Sequence, residues 1–389
     1  MRIFISTGEV SGDLQGAMLI AALSRQAKLK EIELEIVALG GDRMAKAGAT
    51  ILANTTTIGS IGVLEALPLV LPTLKIQGIA KQYLQTNSPD LLILIDYVAP
   101  NLALANYVRK HYPQVPIIYY IVPQDWAVPQ LGNTKKIIQL SDRLLAIFQA
   151  EANYFKNLGA NVTWVGHPLV DRTENAPSKN EARQALNIPC DETIITLLPA
   201  SRQQELKSLL PVMCEAGKIL QNKLAKVHFL IPLSLAKYRQ EIVAAIENYD
   251  LSATILEDKL YEAIAAADLA ITKSGTVNLE IALLKVPQIV IYKVSPVTAW
   301  IARNILKLSI PFMSPTNLVV NQAIVPELLQ EEVTAENIVR EALELLLNRE
   351  KIDLLEENYR EMRQALGEKG ACDRAAIEIF DFVKGNNCH

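Results

Sequence analysis

Residues 2–16, RIFISTGEVSGDLQG, join a short apolar run to a glycine-rich polar segment that leads into a helical pattern. The same unit recurs along the chain, because short runs rich in β-branched residues alternate with longer segments of helical period. This alternation is typical of a parallel sheet with crossover helices. The pattern therefore predicts an α/β fold.

Two series of such runs predict two sheets. The first series comprises strands near residues 2–6, 33–38, 91–96, 117–121, 143–147 and 162–165, and the second comprises strands near residues 194–198, 227–231, 253–256, 269–271 and 288–291. From Thr334 onward the chain is helical and charged. We therefore expect two Rossmann-like, doubly wound domains and a helical C-terminal region.

The boundary between the two predicted domains falls in the polar stretch 171–180, where Ser178 is typical of a helix start. We predict a first domain over residues 1–170 and a second over residues 171–349. The helical segment 350–389 is a candidate completion of the first domain.

Composition excludes several classes of protein. The 389 residues carry 38 basic and 42 acidic side chains, a formal net charge of −4, and 50% of them are hydrophobic. This balance predicts a chain that folds throughout and disfavours a nucleic-acid binder. The four cysteines lie too far apart for a zinc ribbon or a disulfide scaffold, and we expect neither a metal nor a cofactor. No secretory signal or membrane-spanning run is visible, so we expect a cytoplasmic protein.

Polar residues after the first predicted strand are candidates for catalysis, because ligands of parallel sheets bind at the carboxyl ends of strands. The glycines of this loop allow close approach of a ligand, and Glu9 and Asp13 could accept protons. The alternative is a tight strand-to-helix turn that is capped by Ser11 and has no catalytic role. The loop lacks the Gly-Lys-Ser/Thr sequence of a P-loop.

Two further aspartates follow predicted strands. Asp96 ends the third strand and is either a base or a helix cap, and its neighbours Tyr97 and Asn101 favour a functional site. Asp125 follows the next strand beside Trp126, whose ring either stacks on a sugar or packs at a half-buried surface.

The second predicted domain carries two loops that suit anions. Ser201 and Arg202 follow its first strand, and a forked guanidinium at a helix start can clamp a diphosphate. The alternative for Arg202 is a surface salt bridge with Glu205. Ser274-Gly275-Thr276 suits phosphate and Glu280 suits ribose hydroxyls. Two such helix starts in one domain favour a nucleotide.

Residues 58–76 form an apolar segment with one acid, Glu65, and one base, Lys75. The segment is too short to span a bilayer, but it could lie at a bilayer interface or cover an acyl chain. An internal helix pair is the alternative, and composition alone favours it.

Several motifs, in colinear order over some 310 residues, resemble the lipid-A-disaccharide synthases, which are bacterial glycosyltransferases of the two-Rossmann GT-B architecture. The motifs are Gly8-Glu9-x-Ser11-Gly12-Asp13, Gly41-x-Arg43-Met44, Ile95-Asp96, Val165-Gly166-His167-Pro168-Leu169, Leu197-Leu198-Pro199-x-Ser201-Arg202, Ser274-Gly275-Thr276-x-x-Leu279-Glu280 and Asn317-Leu318. The family joins UDP-2,3-diacylglucosamine to 2,3-diacylglucosamine 1-phosphate (lipid X), forming a β1→6 disaccharide of the lipopolysaccharide anchor and releasing UDP.

The resemblance implies roles for individual residues. Arg202 and the Ser274-Gly275-Thr276 turn would hold the pyrophosphate, Glu280 the ribose, and Asn317 would lie beside the sugar nucleotide. It also implies a peripheral protein on the cytoplasmic face of the inner membrane, with residues 58–76 contacting lipid. A homodimer through the C-terminal helices is a further implication.

The aspartate loop departs from the family. Members have an Ile-Asp-Ala-Pro-Asp-Phe-Asn pattern, and Ala99 stands at the position of its second aspartate. A neighbouring acid must then accept the proton, or the protein uses another acceptor or is inactive. Our hypothesis is that Asp96 or Asp125 supplies the base, with Glu9 and Asp13 as further candidates.

Two rival functions stay open at this point. One is a UDP-N-acetylglucosamine 2-epimerase or another GT-B enzyme that acts on soluble sugars and lacks a lipid-facing segment. The other is a catalytically inactive nucleotide or lipid binder, which the alanine at position 99 would permit.

Overall fold

The computed structural model describes residues 1–56, 58, 67–128, 132–199, 202–305 and 310–386. Within these ranges the chain forms two compact units, each with a parallel sheet between helices. The first unit comprises residues 1–171 and the chain from residue 366 onward, and the second comprises residues 172–305 and 310–365. The predicted α/β class with two Rossmann-like sheets is confirmed.

The described sheet of the first unit has seven parallel strands in the order β3-β2-β1-β4-β5-β6-β7. Their bounds are β1 Arg2–Ser6, β2 Glu35–Gly40, β3 Thr50–Asn54, β4 Leu91–Ile95, β5 Ile117–Tyr120, β6 Arg143–Ala146 and β7 Val162–Trp164. All five residues of β4 are buried, as expected for a central strand covered on both faces. The strand order reverses between β1 and β4, which makes the loops after these strands the switch point of the sheet.

Helices follow most of these strands. They are α1 Glu9–Leu29, α2 Asp42–Lys46, α3 Val70–Thr86, α4 Val98–His111, α5 Thr134–Leu140, α6 Gln149–Asn157 and α7 Pro168–Thr173. Short 3₁₀ turns cover Leu67–Leu69 and Gln124–Trp126.

The described sheet of the second unit has six parallel strands in the order β10-β9-β8-β11-β12-β13. Their bounds are β8 Thr193–Leu198, β9 Val227–Pro232, β10 Ala253–Leu256, β11 Leu269–Lys273, β12 Gln288–Tyr292 and β13 Glu327–Leu329. This order has its own switch point between β8 and β11. The loops after these two strands contain the two anion-friendly motifs predicted from the sequence.

The remaining helices are α8 Lys179–Ala185, α9 Gln203–Lys223, α10 Arg239–Tyr249, α11 Leu260–Ala265, α12 Val277–Leu283, α13 Pro296–Trp300, α14 Pro315–Val320, α15 Ala335–Leu347, α16 Arg349–Ala365 and α17 Ala371–Asn386. A π-helical turn, Ile301–Ile305, continues α13. The predicted helix starts at Ser178 and Thr334 are confirmed, because their side chains cap α8 and α15. None of the described helices is long and apolar enough to cross a membrane.

The chain returns to the first unit at residue 366, and α17 packs against α1. Asp171 fixes the start of α17, because its carboxylate accepts the N–H groups of Gly370 at 2.5 Å and Cys372 at 3.2 Å. The guanidinium of Arg374, one turn into α17, donates to the carbonyl oxygen of Val165 at 2.8 Å. The first unit is therefore assembled from both ends of the chain.

Candidate active site

The loop after β4 carries Asp96 at the switch point of the first sheet. Asp96 and Tyr97 both adopt the left-handed backbone conformation, with φ of 44° and 48°. Such values are costly for residues other than glycine and persist only where the surroundings enforce them. The side chain of Asp96 lies at the exposed surface of this loop.

Buried hydrogen bonds enforce that turn. Asn101 donates from Nδ2 to the carbonyl oxygens of Ile95 at 3.1 Å and Asp96 at 2.7 Å. Its Oδ1 accepts from the Ser6 hydroxyl at 2.7 Å, and the Tyr119 hydroxyl donates to the Asp96 carbonyl at 2.7 Å. Asn101 therefore ties the ends of β1 and β4 together and presents the Asp96 carboxylate outward.

Glu9 lies in the same region, at the start of α1. A Cβ atom on the preceding Gly8 would come within 2.5 Å of the Tyr97 ring, so only glycine leaves room for that ring. Burial raises the pKa of Tyr97, and the negative charge of Glu9 raises it further. The structure thus brings together Glu9, Asp96 and Tyr97.

Asp13 has a different environment from Asp96. It is buried, and its two carboxylate oxygens accept the backbone N–H groups of Arg43 and Met44, both at 3.1 Å. These groups belong to the first turn of α2, which has no intrahelical acceptors for them. In the structure Asp13 holds α2 in place.

Asp125 is also engaged by its own unit. It is fully buried, and Oδ2 accepts the Asn133 N–H at 2.7 Å and the Thr134 hydroxyl at 3.3 Å at the start of α5. Trp126 packs in an aromatic contact, with its ring centroid 5.7 Å from that of Phe148. The structure therefore places Asp125 as a cap for α5.

Two basic side chains meet at the switch point of the second sheet. Arg202 precedes α9 and pairs from Nη1 with Oε1 of Glu205 at 2.8 Å. Lys273, the last residue of β11, places Nζ 3.7 Å from the same oxygen. One carboxylate thus orients two cations at the carboxyl ends of β8 and β11, the edge at which parallel sheets bind ligands. The predicted residue Ser201 lies outside the described residues.

The Ser274-Gly275-Thr276 turn follows directly on Lys273. Gly275 donates its N–H to Oδ1 of Asn278 at 2.8 Å, and the Ser274 hydroxyl donates to the carbonyl oxygen of Met313 at 2.5 Å. A Cβ atom on Gly275 would lie 2.8 Å from Nζ of Lys273, so the glycine permits close approach of the ammonium group. Thr276 forms the N-cap of α12. The turn therefore lies against the end of the Lys273 side chain.

Glu280, one turn into α12, is buried in a small polar cluster. Its Oε1 accepts from Arg172 Nη1 at 2.5 Å and from the Tyr261 hydroxyl at 2.6 Å. The Arg172 guanidinium lies 4.8 Å from the centroid of the Tyr261 ring. Burial raises the pKa of Tyr261, and Glu280 adds to the rise.

Asn317 is fully buried and shapes the loop before β13. Its Nδ2 donates to the carbonyl oxygen of Val325 at 3.0 Å and to Glu327 at 2.7 Å, and its Oδ1 accepts the N–H groups of Ile324 at 2.8 Å and Val325 at 2.9 Å. These four bonds use the full capacity of the amide. In the structure Asn317 positions a loop, whereas Arg202 and Lys273 face the switch point.

A family model described as lipid-A-disaccharide synthetase matches residues 3–379. The chain belongs to this family. The resemblance drawn from the motifs is confirmed, and the match covers the loops after β1, β4, β8 and β11.

Named relatives agree with the family. The lipid-A-disaccharide synthase of Gloeothece citriformis is 59% identical over 98% of this chain and 100% of its own length. The synthase of Synechocystis sp. is 55% identical over 99% of this chain and 98% of its own length. The synthase of Geobacter metallireducens is 33% identical over 98% of this chain and 97% of its own length.

Solved structures share the fold. S. aureus MnaA, in a co-structure with UDP, superposes with a TM-score of 0.69 at 15% identity and covers 98% of this chain and 97% of its own. A putative UDP-N-acetylglucosamine 2-epimerase from Listeria monocytogenes gives 0.65 at 14% identity, covering 98% and 94%. At such identities the likeness establishes the two-domain architecture alone.

Sequence reasoning did not assign two charged residues of this synthase-family chain. Lys273 ends β11 directly before the serine of the turn, where the pattern of hydroxyls and glycine predicts a phosphate loop without it. Glu151 on α6 is fully buried and accepts the N–H groups of Ile147 at 2.9 Å and Phe148 at 3.1 Å. Burial raises the pKa of Glu151 to about 8, although these backbone bonds favour its ionised form.

Proposed function

We propose that this synthase-family protein joins UDP-2,3-diacylglucosamine to 2,3-diacylglucosamine 1-phosphate, giving a β1→6 disaccharide and UDP. An α-linked donor that yields a β product requires one in-line displacement. The acceptor hydroxyl oxygen forms a bond to the anomeric carbon, the bond to the phosphate oxygen breaks, and UDP leaves with the electron pair. The pairing of Arg202 and Lys273 around Glu205 carries the proposal, because two cations at the carboxyl edge of the second sheet can stabilise the charge that develops on UDP.

On the donor side, Arg202 and Lys273 bind the pyrophosphate. Both lie at the switch point of the second sheet, where α/β folds bind ligands. The arginine offers a planar fork and the lysine a point charge. The family resemblance assigns the ribose to Glu280, which Arg172 and Tyr261 hold in its present position. Asn317 supports the donor site by fixing the loop that precedes β13.

On the acceptor side, Asp96 takes the proton from the attacking hydroxyl. Three observations support this choice over the other acids. The Asp96 side chain is exposed, the strained turn that carries it is held by Asn101, and Glu9 lies beside the same turn. Asp13 and Asp125 instead accept backbone N–H groups that would lose their partners if either carboxylate turned away.

We further propose peripheral attachment to the cytoplasmic face of the inner membrane through the unit 1 patch, which we define as Leu67, Val70, Leu71 and Leu74. These side chains are exposed, with Leu71 at 78% and Leu74 at 61%, on α3 and the turn before it. They lie within the apolar segment 58–76, of which residues 59–66 are outside the described ranges. An exposed apolar cluster of this kind marks a lipid or partner contact.

A homodimer through the C-terminal helices is also proposed, on the strength of the family resemblance. Multi-angle light scattering of the purified protein would then give twice the chain mass of 42.9 kDa. A single-chain mass at micromolar concentration would remove this proposal and leave the enzymatic one intact.

The reaction is tested by mass spectrometry of products after incubation with the diacylated donor and lipid X. We expect a disaccharide of the summed mass, with UDP released only when the lipid acceptor is present. An altered sugar or UDP release without lipid would favour the epimerase-like rival. UDP binding with no product on any glucosamine lipid would favour the inactive binder that Ala99 permits.

A further inference from the structure

Side chains from three separate helices meet in the buried cluster around Glu280. Arg172 lies on α7, Tyr261 on α11 and Glu280 on α12, and 108 positions separate Arg172 from Glu280. The Arg172 guanidinium and the Tyr261 hydroxyl donate to the same oxygen of Glu280, Oε1, at 2.5 and 2.6 Å. Neither the motifs nor the family resemblance assigns a role to Arg172 or Tyr261.

The cluster lies at the carboxyl edge of the second sheet. Tyr261 is the second residue of α11, which follows β10, and Glu280 lies on α12, which follows β11. Glu280 comes four residues after Thr276, the N-cap of α12, which corresponds to about 6 Å along a helix. A carboxylate at this position suits the ribose of a nucleotide whose pyrophosphate binds at the Ser274-Gly275-Thr276 turn.

Arg172 supplies the charge that a buried carboxylate needs. The side chain of Glu280 is only 5% exposed, and an ionised carboxylate is costly to bury without a cationic partner. Arg172 provides that partner, and its own side chain is 23% exposed. In the charged form a carboxylate only accepts hydrogen bonds, which suits the hydroxyl groups of a sugar.

Tyr261 fixes the orientation of the same carboxylate. Burial and the neighbouring Glu280 both raise the pKa of Tyr261, so its hydroxyl keeps its proton and acts as the donor. The guanidinium of Arg172 lies 4.8 Å from the centroid of the Tyr261 ring, so each donor holds the other in place. The protein itself thus holds Glu280 in one orientation, which lowers the cost of ordering it in a complex.

We infer that Arg172 and Tyr261 are positioning residues of the donor site, and that they make Glu280 selective for the ribose hydroxyls of a nucleoside diphosphate. This role rests on the proposed function, in which the ribose is assigned to Glu280, and it extends that function to two further residues. A purely structural cluster would instead affect every nucleotide ligand alike.

The ratio of two affinities tests this role. Isothermal titration of the full-length protein gives the dissociation constants of UDP and of 2′,3′-dideoxy-UDP, which lacks both ribose hydroxyls. Both ligands keep the pyrophosphate, so the ratio isolates the ribose contact, and unfolded protein in a preparation does not alter it. We expect the wild type to bind UDP about tenfold more tightly than the dideoxy compound.

Two substitutions each remove one donor to Glu280. Tyr261→Phe removes the hydroxyl and keeps the ring, whereas Arg172→Met removes the charge and keeps an unbranched side chain. Each is expected to lower the ratio about threefold, through weaker UDP binding with little change for the dideoxy compound. Arg172→Lys restores the positive charge without the planar fork and should recover part of the ratio. Glu280→Gln should bring the ratio close to one.

Matched controls lie at the amino edge of the same sheet. Arg183→Met breaks an ion pair with Asp268, in which the two atoms lie 2.7 Å apart. Tyr359→Phe removes a buried hydroxyl that donates to the carbonyl oxygen of Val286 at 3.1 Å. Both changes remove interactions of the same kinds from the second unit, so we expect lower melting temperatures and an unchanged ratio.

Three results would overturn the inference. The first is an unchanged ratio in both Tyr261→Phe and Arg172→Met, which would make the cluster purely structural. The second is a ratio near one in the wild type, which would remove the ribose from Glu280. The third is no binding of UDP by the wild type, which would remove the donor site as well. A failure of disaccharide formation with the expected ratios would affect only the proposed reaction, because the titrations contain no acceptor lipid.

Discussion

At the carboxyl edge of the first sheet three acids accept backbone N–H groups of neighbouring segments, whereas at the same edge of the second sheet two cations share one carboxylate. Asp13, Asp125 and Glu151 are buried and engaged in this way, and Asp96 is exposed. Arg202 and Lys273 converge on Glu205. A charged residue after a strand can thus stabilise the chain itself or face the edge of the sheet where ligands bind.

The largest expected effect comes from the exposed acid, Asp96, because we propose it as the catalytic base. Asp96→Asn removes the proposed base and keeps the shape, so we expect disaccharide formation to fall about 10²- to 10⁴-fold. Initial-rate measurements with donor and lipid X give this value. Asp353→Asn, at an exposed position on α16, is the control and should leave the rate unchanged. A rate within twofold of wild type for Asp96→Asn would move the base elsewhere.

The basic pair at the second edge is tested next. Loss of a charge-assisted contact to the pyrophosphate is expected to lower kcat/KM and weaken UDP binding about 10- to 100-fold in Arg202→Ala and in Lys273→Ala. Isothermal titration with UDP reports the affinity. Lys207→Ala, exposed on α9, serves as the control. Unchanged UDP affinity in Lys273→Ala would leave the lysine as a partner of Glu205 alone.

The buried Glu151 is tested through the pH dependence of the unfolding free energy. Its folded pKa of about 8 exceeds the ordinary 4.5, so between these values the folded state holds a proton that the unfolded state has lost. Its contribution to stability is therefore complete below about pH 4.5 and is lost as pH rises toward 8, on the order of 1 kcal/mol per pH unit. Urea unfolding at pH 5, 6 and 7 should show a smaller decline in Glu151→Gln. Parallel curves for the two proteins would exclude a protonated Glu151.

Asp125 provides the smallest expected effect. Asp125→Ala leaves the Asn133 N–H and the Thr134 hydroxyl without their acceptor, which is expected to cost about 1–2 kcal/mol of unfolding free energy. In contrast to Asp96→Asn, the rate per folded molecule should stay near that of wild type. Thermal melting and initial rates on one preparation separate these effects. A reduced initial rate with an unchanged melting temperature would instead assign Asp125 a role in catalysis.

Most of the fold could be predicted from the chain, since each of the eleven predicted strands lies within two residues of an observed one. The strands β3 and β13 were missed. β3 is an edge strand whose residues are partly buried or exposed, and β13 is three residues long, so neither gives a buried apolar run. Periodicity detects the centre of a sheet better than its edges.

The candidate site could be predicted as loops but not as side-chain roles. Asp13 binds residues thirty positions away, a pairing that no local pattern encodes. Asn317 uses all its hydrogen-bonding capacity on the next loop, although the motif implied a ligand contact. The role of Lys273 could not be predicted locally, because the position of its ammonium group depends on Glu205, which lies on another element. Local chemistry predicts where ligands bind, and tertiary hydrogen bonds decide which residues are available.

The return of the chain at residue 366 has a consequence for biosynthesis. The described residues of the second unit, 172–305 and 310–365, all precede this return and are therefore synthesised before α17. The first unit is complete only after α17 has been synthesised, and the start of α17 is fixed by Asp171 and Arg374. A nascent chain stalled before Ala371 would expose the surface of α1 that α17 covers, and such transiently exposed surfaces favour aggregation. The first unit is therefore completed only by a helix that follows the whole second unit in the chain.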